Sequence, residues 1–181
     1  MKKLKNSDLT AAALAIHSEK DFKEALRVFT DEQAEILEYF EELAESEDAP
    51  GEAEEAFLLT LAVNIWHALR SNGITPLFAD RKALLALEKA NLEKLQGLFD
   101  GDPKKVKTPE ELFKSMDGHP QDELARAALL LALSTGDKKI GLDPVGVILP
   151  VMTVVDSLCG VGPRESLLAE LEDLPPRRWW G

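Results

Sequence analysis

The chain has 181 residues, 45% of them hydrophobic and 30% charged, a balance that suits one folded domain with a core of its own and excludes a disordered or fibrous polypeptide. With 33 acidic against 21 basic side chains the net charge is −12, which argues against a nucleic-acid partner, because such binders neutralise phosphates with Lys and Arg. The single cysteine, Cys159, has no partner for an internal disulfide and, with three scattered histidines, supplies none of the usual Cys and His zinc clusters, so no metal is expected and a reducing cytoplasm is the natural setting.

The chain starts MKKLKNSDLTAAALAIHSEK, where Lys2, Lys3 and Lys5 ahead of an apolar stretch imitate a secretory leader. The stretch from Leu9 to Ile16 is short, begins after Asp8 and lacks a small-residue cleavage pattern, so it reads as an amphipathic first helix. Thr30 followed by Gln33 has the spacing of a capping box ahead of EQAEILEYFEELAES, in which Ile36, Leu37, Tyr39, Phe40 and Leu43 share one face. Pro50 and Gly51 close that helix, and the next is predicted over about 52–71, ended by Asn72 and Gly73. Together they read as an αα-hairpin.

The 52–71 helix carries the unusual run NIWHALR. At about 100° per residue, Thr60, Asn64, His67 and Ser71 fall in an arc roughly 60° wide, and apolar residues cover most of the remainder. Such a stripe is either a solvent-facing edge or one wall of a crevice, while Ile65 and Trp66 read as core. A third long helix is predicted from about Asp80 to Phe99, with leucines at 84, 85, 87, 92, 95 and 98. Glu88 and Asn91 fall inside that apolar arc and so should be buried, where an unpartnered carboxylate or amide costs several kcal/mol. One solution lets Glu88 reach water or pair with a base such as Arg126; the other sets Glu88 and Asn91 opposite Asn64 and His67 around a polar pocket.

A polar connection, GDPKKVKTP, leads to a short helix opened by Thr108 and Pro109 and running to about Met116. His119 and Pro120 precede QDELARAALLLALSTG, a helix apolar on almost every side, predicted near 121–135 at the centre of the domain. The segment 145–159 is rich in Val and Ile; with no second strand to pair with, it is expected to be a helix kinked or broken at Pro150. Its apolar run is far shorter than the roughly 20 residues that cross a bilayer, so no membrane partner is expected. Gly160, Gly162 and Pro163 read as a turn between helices, and Pro163 opens a last helix stopped by Pro175 and Pro176.

These readings define an all-α domain over residues 1–174, a bundle of about eight mostly antiparallel helices, followed by a Pro/Arg/Trp tail over 175–181. Catalytic, nucleotide and metal motifs are missing: Glu-x-x-His, HExxH, a Walker loop, GxGxxG and an EF-hand loop are all absent, and no cofactor is expected. The leading expectation is a noncatalytic cytoplasmic protein that binds another protein or itself. Its candidate interfaces are the acidic turn with Glu52, Glu54 and Glu55 and the tail with Arg177, Arg178, Trp179 and Trp180, residue types suited to interface anchors. The alternative is a small-molecule-binding protein or enzyme using the pocket of Asn64, His67, Glu88 and Asn91, with His67 as acid or base.

Overall fold

The computed structural model describes residues 2–45, 51–77, 80–98, 109–114, 116, 118–135 and 147–161. Among the described residues there are eight helices and no strand: α1 (Asn6–Ala15), α2 (Glu19–Glu32), α3 (Ala34–Ala44), α4 (Glu52–Ser71), α5 (Arg81–Leu98), α6 (Pro109–Lys114), α7 (Asp122–Thr135) and α8 (Leu149–Leu158). The all-α bundle read from the sequence is the architecture observed. The last helix expected after Pro163 and the Arg177, Arg178, Trp179 and Trp180 tail lie outside the described residues.

Local chemistry sets the boundaries. The backbone N–H of Lys5 donates to Asp8 Oδ2 at 2.7 Å to open α1, and Ser18 opens α2 by accepting from the N–H of Asp21 at 3.1 Å. The capping box expected at Thr30 does not form. Helix α2 continues through Thr30, whose hydroxyl donates to the Leu26 carbonyl at 2.8 Å, and the chain bends only at Gln33. Within the continued α2, Phe29 is fully buried and edge-on to the Trp66 ring with centroids 5.8 Å apart, and ring burial and ring contact together outweigh one cap. Helix α4 has the predicted bounds. Gly73 ends it at φ +73°, with the N–H of Ile74 reaching back to the Leu69 carbonyl at 2.9 Å.

Helix α8 answers the ambiguity at 145–159. A wide π-type turn at Val147 and Ile148 leads into it, and Pro150 sits in its first turn, where the missing N–H leaves no bond unmade. All ten of its residues are buried, and it packs against α4, α5 and α7. The predicted central helix, α7, shares that position only in part. Its inner face, with Leu124, Ala125, Ala128, Leu129 and Ala132, is buried against α8 and α1, whereas Leu130 and Leu131 are 49% and 41% exposed. No helix among the described residues is long and apolar enough to cross a membrane.

Candidate functional site

The sequence-predicted polar residues occupy three different settings. Asn64 turns back along its own helix, its Nδ2 donating to the Thr60 carbonyl at 2.8 Å, while its Oδ1 is buried without a hydrogen-bond partner. His67 opens on a shallow crevice of about 610 Å³ formed where the end of α1 and the first turns of α2 meet α4. Ile16, Ala25, Val28 and Trp66 line its apolar part, and Asp21, Glu24 and Arg70 are polar members of the lining. Glu88 and Asn91 take no part in that crevice. Both are core, as their place in the leucine arc requires, with exposures of 6% and 0%.

Around His67 the charges are committed locally. The Trp66 indole N–H donates to Glu32 Oε2 at 3.0 Å, Arg70 pairs with the other oxygen of Glu32, and the Arg70 guanidinium lies 5.0 Å from the Trp66 ring centroid. Partial burial, and then the Arg70 cation, lower the pKa of His67, so the ring is neutral at pH 7. Glu24 is bridged to Arg27 at 2.9 Å, a hydrogen bond that also lowers the Glu24 pKa.

Inside the bundle the two core polar residues lead to separate networks. Glu88 Oε1 accepts from the Tyr39 hydroxyl at 2.8 Å, tying α5 to α3. Asn91 Nδ2 donates to Asp156 Oδ2 at 2.9 Å, tying α5 to α8, and Lys94 Nζ donates to Asn91 Oδ1 at 3.0 Å while standing 3.9 Å from the same carboxylate. The second oxygen of Asp156 lies 3.0 Å from His119 Nε2, a close electrostatic contact bent away from hydrogen-bond alignment. His119 Nδ1 accepts from the backbone N–H of Gln121 at 2.9 Å, which requires a lone pair there and puts the ring proton on Nε2, facing Asp156.

Sequence reasoning missed the His119–Asp156 pairing, yet a signal was present. In GVILPVMTVVDSLCG, Asp156 is the only charge in a segment that must be buried, and such a carboxylate needs partners from other helices. The cluster has the residue types of a catalytic relay but not the geometry. His119 Nδ1 is taken up by the Gln121 N–H, and Nε2 is buried against Asp156. Cys159, one turn beyond Asp156, is buried, and burial together with the Asp156 charge pushes its thiol up to about 12, far from a reactive thiolate. No group of His, Cys, Asp and Glu suited to a metal occurs among the described residues.

The acidic turn has a local use as well. Glu54 Oε2 accepts from the Gly51 N–H at 2.9 Å, and Glu52, Glu54 and Glu55 all stand in the first turn of α4, where negative charge is stabilised by the exposed N–H groups. Compared with known proteins, the chain matches no family model, no curated protein and no solved structure.

Proposed function

We propose that the protein is a noncatalytic cytosolic interaction module that binds another protein through the outer face of α7. The observation carrying this reading is the mismatch between that helix's sequence and its cover. A helix apolar on almost every side is at home only where every side is covered. Among the described residues, helices α8 and α1 make the main contacts with α7, while Leu130 and Leu131 are 49% and 41% exposed. Leu14, on the neighbouring α1, is also 65% exposed. The internal polar groups support the same reading from the other direction, since their bonds hold helices together rather than await a substrate.

The test is a photoreactive amino acid placed at position 130, compared with one at exposed Lys23 on α2. Discrete adducts at 130 that disappear in Leu131→Glu are expected; equal or absent adducts at 130 would remove this surface from consideration. Adduct mass distinguishes a foreign partner from a second copy of the chain. The crevice beside His67 favours a second reading, a small-molecule site, because its apolar lining and polar members have the composition of a ligand cleft. A ligand screen by thermal shift on wild type and His67→Ala decides it: a stabilising compound should lose its effect in the variant.

A further inference from the structure

The segment preceding α1 is fastened at its main chain to the start of α7. The Leu4 N–H donates to Gln121 Oε1 at 2.8 Å, and Gln121 Nε2 donates to the Lys2 carbonyl at 2.8 Å, so one fully buried amide side chain grips the strap with both ends. Leu4 itself is fully buried. The backbone N–H of Gln121 is the group that donates to His119 Nδ1, so the strap, Gln121, His119 and Asp156 form one continuous polar chain. From this geometry we infer that His119 is a proton-controlled latch: a proton on Nδ1 displaces the Gln121 N–H and releases the Lys2–Leu4 strap from α7.

The reason is donor and acceptor count. The closed strap needs an acceptor at Nδ1; an imidazolium has a donor on both nitrogens, so two N–H groups would confront each other across 2.9 Å. The charges around the ring come from each element packed there. Asp156 on α8 faces Nε2 at 3.0 Å, the Lys94 ammonium on α5 stands 3.9 Å from the other oxygen of that carboxylate, and Cys159 stays an uncharged thiol. On the strap side, Lys3 donates to Asp122 at 2.9 Å and holds that carboxyl below its ordinary range, so the pair remains ionised while a histidine titrates. Closure depends on the neutral ring.

The experiment follows Leu4 amide exchange and the His119 ring signals together by NMR between about pH 8 and pH 5, the window in which histidines commonly change charge. After correction for the intrinsic pH dependence of exchange, the Leu4 amide should exchange about tenfold faster below the His119 titration, the factor expected for the net loss of about one hydrogen bond. In His119→Asn the side-chain oxygen keeps an acceptor for the Gln121 N–H without titrating, and Leu4 should stay protected throughout. Gln121→Leu removes the grip and should leave Leu4 fast at every pH. Leu4 protection that does not change while the wild-type His119 ring titrates, or a ring that takes up no proton in this window, overturns the proposal whether or not either variant folds.

Discussion

At the scale of single residues, the buried polar groups divide into those that join helices and those that mark an edge. Asn91 belongs to the first kind. Replacing it with alanine removes a donor from Asp156 Oδ2 inside the core, and urea unfolding should register a loss of about 1–3 kcal/mol. His67 belongs to the second, and its environment answers the question raised by NIWHALR. Thr60 and Ser71 are exposed and Asn64 and His67 half-buried, so the stripe is a solvent edge that also borders the crevice. Because Arg70 helps to depress the His67 pKa, an NMR titration should find it raised in Arg70→Gln and unmoved in Glu88→Gln. Burial of Glu88 and Asn91 was legible from their place in the leucine arc. Their partners were not, since Tyr39 and Asp156 stand 49 and 65 residues away along the chain and no periodicity reports such a distance.

At the scale of elements, α7 and α8 exchange the places their sequences suggest. The leucine-rich 122–135 segment has the stronger helical signature, whereas the β-branched 149–158 segment lies deeper. Hydrophobic periodicity tells which residues seek cover but not how many neighbours a helix receives, because that depends on how the other elements assemble. Helices α4, α5 and α7 converge on α8. Truncation of Met152 to alanine should therefore leave a cavity and cost about 2–5 kcal/mol in chemical unfolding, whereas Leu130→Ala on the outer face of α7 should change stability by less than about 1 kcal/mol. Capping was legible where the signal is a local residue pair, as at the end of α4, and misleading at Thr30, where a buried ring one residue earlier decided where the helix stops.

For the molecule as a whole, Cys159 reports on the integrity of the fold. A thiol that is buried and shifted to about 12 should resist an exposed-thiol reagent at pH 8, its slow reaction rate tracking the unfolded fraction and accelerating when denaturant is added. The raised pKa also sets a sign at alkaline pH. The protonated thiol's contribution to stability is fully present below the value of the unfolded thiol and is lost as pH climbs from there through about 12.

The placement of α8 also has a consequence in time. The helix on which α4, α5 and α7 converge is the eighth of those described, and the strap at residues 2–4 closes on a glutamine more than a hundred positions later. At about 5–20 residues per second, synthesis delivers α8 several seconds after α5 is complete. During that interval the inner faces of the earlier helices have one another but not their common neighbour. Completion of the core must therefore wait for α8, and a ribosome paused before residue 147 would hold a chain in which the inner faces of α4 and α5 lack that neighbour.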